Sequence, residues 1–139
     1  MSARSKARKR ALDVLYGADV RGTSINDALA EAAARALTEP ERSESWNYAR
    51  EIVNGVVEHG DEIDELIETY AQGWTLARMP VVDRAIIRIG IWELLFNDEI
   101  PAGVAISEAV GQAREFSTED SGKFVNGLLA RISTPTTAV

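Results

Sequence analysis

Five cations crowd the first ten residues of this 139-residue chain, Arg4, Lys6, Arg8, Lys9 and Arg10, with no acid among them. Clustered guanidinium and ammonium groups hold phosphate oxygens and release counterions, so this end reads as a local polyanion contact. The body is acidic, with a net charge of −7 overall, which argues against a surface that coats nucleic acid indiscriminately. The competing reading is a solvated basic tail. Cations at the first turn of a helix also oppose the macrodipole, which predicts that this end frays until an anion binds. Two aromatic residues, Tyr16 and Phe124, fall on helical stretches where their rings serve either core packing or stacking on unpaired bases.

Catalytic chemistry has little material. His59 is the only histidine and cysteine is absent, so nucleophile–base pairs, disulfides and thiolate metal sites are not expected. No glycine-rich phosphate loop is present. The acids between Glu58 and Glu68 interleave with Ile63, Leu66 and Ile67, the pattern of a solvated helix face and not of a carboxylate site. We therefore expect no catalytic residue, no metal and no cofactor. A second anion position is possible at the start of the last helix, where Ser121, Gly122 and Lys123 follow a helix N-terminus; Glu119 and Asp120 weigh against it.

These residues must be positioned by helices. Residues 80–96, PVVDRAIIRIGIWELLF, are apolar at almost every helical angle, which predicts a central helix buried on all sides with Asp83, Arg84 and Arg88 among its few charges. Pro80 suits the first turn. Upstream, Ala11, Leu12, Val14, Leu15 and Ala18 give a helical stripe over about 5–18, with Lys6, Lys9, Arg10 and Asp13 on the opposite face and Gly17 and Gly22 marking its end. Ser24 caps a second helix, with Asp27 three residues on and Ile25, Ala28, Leu29, Ala32, Ala36 and Leu37 inward. From Ala49 to Tyr70 the apolar phase never resets, which favours one helix of roughly thirty residues that Gly60 could bend. Pro101 opens a further helix with Ala105, Ile106, Ala109, Val110, Ala113 and Phe116 inward, and Ser117 or Thr118 caps the last, with Phe124, Val125, Leu128, Leu129 and Ile132 as its stripe. A short extra turn falls near Thr75, and Trp74 is the most accessible tryptophan. The fold class is thus all-α: a single-domain bundle of about six to seven helices around a buried central helix, residues 5–133, with a basic segment over 1–10 leading into it and a disordered tail over 134–139. No apolar run reaches membrane length and no signal peptide is visible, which predicts a soluble cytoplasmic protein.

The basic run followed by ALDVLY (11–16), together with VVDRAIIRIGIWELLF (81–96), IPAGVAISEAVGQAREF (100–116) and STEDSGKFVNGLLARI (117–132), closely resembles the NusB family of bacterial transcription antitermination factors. The order and spacing match over nearly the whole chain, AISEAV and SGKFVNGLL being the most specific pieces. The resemblance implies an all-helical protein that binds the boxA element of nascent ribosomal RNA jointly with NusE, a ribosomal protein, within an RNA polymerase complex containing other Nus factors. It places Arg4, Lys6, Arg8 and Arg10 in the family's arginine-rich motif and Tyr16 on its tyrosine, with Lys9 beside them as a further expected phosphate contact. Asp120, Lys123, Phe124 and Asn126 fall in a second RNA-contacting motif, and Asp83 and Arg88 near the RNA or NusE surface. Two other readings compete. One is a structural adaptor or homodimer that never touches RNA; the other is a NusB-like domain related to RNA methyltransferases, for which the chain has neither the length nor a nucleotide-binding segment.

Overall fold

Small polar side chains and glycine set the helix ends in the computed structural model, which describes residues 2–39 and 43–134. Ser2 accepts from the Ser5 N–H and opens α1 (Ala3–Arg21), which Gly22 ends at φ 70°, a left-handed conformation that glycine adopts without strain. Ser24 accepts from the Asp27 N–H and opens α2 (Ile25–Ala36), as its capping pattern predicts. There follow α3 (Ser43–Glu58), α4 (Gly60–Tyr70), a 3₁₀ turn (Leu76–Arg78) and α5 (Val81–Ile91), which one π-helical turn (Trp92–Phe96) prolongs. Pro101 precedes α6 (Ala102–Phe116), and Thr118 caps α7 (Glu119–Ser133) by accepting from the Ser121 N–H at 2.9 Å. These seven helices, with no strand among the described residues, agree with the expected bundle. Of the expected tail, residues 135–139 lie outside the described residues.

The central position of α5 follows from its composition. Ala85, Ile86, Ile87, Ile89, Gly90 and Ile91 are all buried, and the helix touches α1, α3, α4, α6 and α7. Gly90 lets it approach α7 closely: a Cβ there would stand 2.9 Å from Leu129 Cδ1 and 3.3 Å from Ala109 Cβ. All-round burial does not extend to Phe96. The π turn shifts the side-chain phase after Ile91, so Trp92 and Glu93 stay inside while Leu94 and Phe96 are half-buried and Leu95 is exposed.

The single long helix expected over 49–70 is two. His59 leaves the helical range at φ −104°, ψ 19° and separates α3 from α4. The hydrogen-bond ladder nevertheless crosses the break, from the His59 N–H to the Gly55 carbonyl and from the Ile63 N–H to the His59 carbonyl. That continuity is why the apolar phase survives: Val53, Val56, Ile63 and Ile67 are all buried. His59 stacks on Phe96, ring centroids 3.9 Å apart, and its Nδ1 lies 3.2 Å from Glu62. Leu37, expected inward, is the C-cap of α2 and stands exposed, because the helix has ended before its phase would bring it to the core.

Candidate functional site

The cations of α1 divide between two faces, as the 100° rotation per helical residue dictates. Arg4 and Arg8 share one face and Lys6 and Lys9 the other. Arg8 is 3% exposed, and its Nε donates to both Glu93 carboxylate oxygens at 2.8 and 2.9 Å while Nη1 reaches Glu108 at 2.9 Å. Tyr48 donates its hydroxyl to Glu93 Oε2 and accepts from Asn97 Nδ2. Burial alone would lower the pKa of Arg8, but its hydrogen bond to Glu93 and the charges of Glu93 and Glu108 outweigh that and raise it. Burial, reinforced by the same Glu93 bond, holds the Tyr48 phenol well above its ordinary value, so it remains a donor at neutral pH. Arg4 pairs with Glu99 at 3.2 Å and lies over the Tyr48 ring. Grouping Arg8 with an accessible basic edge is therefore corrected. Its position three and four residues before Ala11 and Leu12, inside the apolar stripe, was the available signal, and Glu93 within an otherwise apolar stretch was its complement. The expectation of fraying changes with it: Arg4, Arg8 and Lys9 are paired with carboxylates, and Ser2 caps a helix that starts at Ala3.

The other face carries Lys6, Lys9, Asp13 and Tyr16. Lys6 is exposed and has no ion-pair partner among the described residues. Lys9 pairs with Asp13 at 2.8 Å and stands over the Phe116 ring, 5.0 Å from its centroid. Tyr16, 44% exposed, forms the wall of a hollow of about 250 Å³ with Lys9, Val82 and Phe116. A second hollow, about 220 Å³, lies between Trp74, Pro80, Asp83, Asp120 and Phe124. Trp74 and Phe124 face each other there with centroids 6.1 Å apart and planes at 58°. Val82 lines the first hollow and Asp83 the second, so the two open on either side of the first turn of α5. Of the sequence-predicted residues the fold thus gathers Lys9, Tyr16, Asp83, Asp120 and Phe124. It adds Trp74 and Phe116, which helical spacing had assigned to a connection and to the core.

Lys123 and Asn126 are exposed on the outer face of α7. Arg10 turns toward α3, donating to Ser45 Oγ at 2.9 Å. Arg88 points to α4, where Nε and Nη2 hold Asp64, and Arg84 pairs with Asp19. At the anion position expected at Ser121, Gly122 and Lys123 two backbone donors are taken: the Ser121 N–H is held by Thr118 Oγ1, the Gly122 N–H by the Thr118 carbonyl, and the Arg114 side chain covers Gly122. Among the described residues no group of His, Cys, Asp and Glu is arranged to hold a metal, and no helix is long and apolar enough to cross a membrane.

Accessible ring faces beside lysines, on a rigid all-helical frame, define a protein suited to binding an anionic ligand that carries aromatic rings. The NusB family model matches residues 5–134, and the chain belongs to that family. It is 69% identical over 133 residues to the transcription antitermination protein NusB of Leifsonia xyli subsp. xyli, covering 96% of this chain and 92% of that one. It also resembles, at TM-score 0.82 and 31% identity, the crystal structure of antitermination factors NusB and NusE in complex with dsRNA, covering 96% of this chain and 97% of that one. A NusB from T. maritima matches at TM-score 0.80 and 34% identity, with 96% and 92% covered.

Proposed function

We propose that this chain is an RNA-binding transcription antitermination factor that takes up the boxA element of nascent ribosomal RNA together with NusE. In that role it helps RNA polymerase, with other Nus factors, resist premature termination in the cytoplasm. The observation that carries the reading is the likeness, over 96% of the chain, to a NusB solved with NusE and RNA. The two hollows support it: Tyr16 and Phe124 offer ring faces to unpaired bases, while Lys6, Lys9 and Lys123 supply phosphate contacts and Asn126 a polar one. A 5–133 unit acting as a binding module, with no reaction of its own, fits the scarcity of nucleophiles and bases. The acidic body keeps phosphate contacts few, so NusE raises affinity by adding a second surface to the same RNA.

The test is binding of a single-stranded boxA-like RNA, its scrambled version and its duplex, each with and without NusE. The expected result is preference for the single-stranded boxA-like RNA, tightened by NusE. Equal affinity for all three, or none even with NusE present, would leave the adaptor reading in its place.

A further inference from the structure

A third hollow, about 220 Å³, lies between α1, α2 and α3 and shares only Asp13 with the Tyr16 hollow. Three arginines from two helices line it, Arg10 and Arg21 of α1 and Arg35 of α2, in a molecule whose net charge is −7. Little within the chain answers these charges. Arg10 donates to a neutral group, the Ser45 hydroxyl, and the exposed Arg35 guanidinium has no hydrogen-bond or ion-pair partner among the described residues. Arg21 reaches the Gly17 carbonyl at 3.2 Å and Glu31 at 3.4 Å, contacts exposed enough that a stronger acceptor displaces them. Of the two acids at the hollow, Asp13 and Glu39, the first is held by Lys9 at 2.8 Å. The space itself is kept open by Ala28, Ala32 and Ala36, which recur every fourth residue along one side of α2 and stop at a methyl where a longer side chain would fill the gap.

We propose that this hollow binds a phosphate group, gripped by Arg10, Arg21 and Arg35. A guanidinium is charged at every physiological pH, and its planar fork matches a pair of phosphate oxygens. Several forks around one hollow suit the three or four oxygens of a phosphate better than the two of a carboxylate. The volume is below the about 300–1,000 Å³ of clefts that enclose a drug-sized molecule, so the hollow takes the phosphate end of a ligand and leaves the remainder outside. Either a free phosphorylated molecule or the backbone of an RNA chain crossing α1 can present that group. Occupancy would also tie α2, which buries only Ala28, to α1. The proposal stands apart from the RNA-binding reading and does not depend on it.

The probe is inorganic pyrophosphate, titrated calorimetrically into the full chain against sodium chloride of equal ionic strength. One saturable site per chain is expected. Arg35→Ala should weaken it about tenfold, the scale of one hydrogen bond between charged groups. Ala32→Leu keeps every charge and fills the hollow, so it should abolish binding while circular dichroism shows the helices intact. Pyrophosphate that binds no better than chloride overturns the proposal. Binding that survives both variants, or that is lost in Lys6→Ala instead, also overturns it by placing the anion elsewhere. Titration of boxA-like RNA with NusE present then separates the two sources: both variants lose RNA affinity if the RNA backbone supplies the phosphate, and keep it if a free ligand does. Failure of every RNA to bind would overturn the RNA-binding reading and leave the pyrophosphate result standing.

Discussion

Arg8 and Lys6 are two residues apart on one helix and do unlike work. Arg8 is enclosed by Glu93 and Glu108, and Tyr48 donates a further hydrogen bond to Glu93. Removing one partner of a buried pair strands the other charge in a poorly solvated place, which costs about 3–5 kcal/mol. Lys6 is exposed, and a surface side chain without partners changes stability by about 0.5 kcal/mol or less. Urea unfolding of Arg8→Ala is therefore expected to show a large fall in midpoint, with Lys6→Ala close to the parent. Equal, small effects would mean that the Arg8–Glu93 pair contributes nothing net. With the expected fall in midpoint, any loss of RNA binding in Arg8→Ala reflects loss of the folded α1, not of a phosphate contact.

Between elements, α3 approaches the π turn closely at Gly55. A Cβ on Gly55 would fall inside the Trp92 indole, and Trp92 is itself buried at 6% exposure. Two effects oppose each other in Gly55→Ala. Helix propensity favours alanine by about 1 kcal/mol, whereas overpacking costs about 1–3 kcal/mol because a buried ring has nowhere to move. Packing wins, so the variant is expected to unfold at lower urea, and a smaller residue at Trp92 should recover part of the loss. A stabilised Gly55→Ala would show that α3 and the π turn are not held this tightly. The same contact shows what the chain's pattern reveals and hides. Helix existence, the caps at Ser24 and Thr118, and the central position of residues 80–96 follow from local spacing, which the sequence displays directly. The break at His59 and the π turn do not, since an apolar phase that survives a kink looks continuous. The site was legible at Tyr16 and Phe124 as ring-bearing positions. Their partners come from elsewhere, Trp74 from the connection after α4 and Phe116 from the end of α6, and only the packing of the helices brings them together.

Across the whole molecule, a net charge of −7 and a pI near 4.8 mean that the mean field repels RNA while a few lysines attract it locally. These two effects respond oppositely to salt: screening relieves the repulsion, while counterion release at each phosphate contact weakens binding with a slope of about 0.7 per contact on single-stranded nucleic acid. A shallow net slope is thus expected for this protein. Replacing Lys6, Lys9 and Arg10 together by alanine removes three cations of α1 and spares the buried Arg8 pair, at the cost of the Lys9–Asp13 pair and the Arg10 bond to Ser45. The plot of log affinity against log salt should then flatten further, by up to about 2 units for three lost contacts, with weaker binding at low salt and a smaller difference at high salt. The measurement is a salt titration of boxA-like RNA binding with NusE present, parent against triple variant. An unchanged slope with an unchanged fold would assign the phosphate contacts to Lys123 and the α7 face instead of to α1.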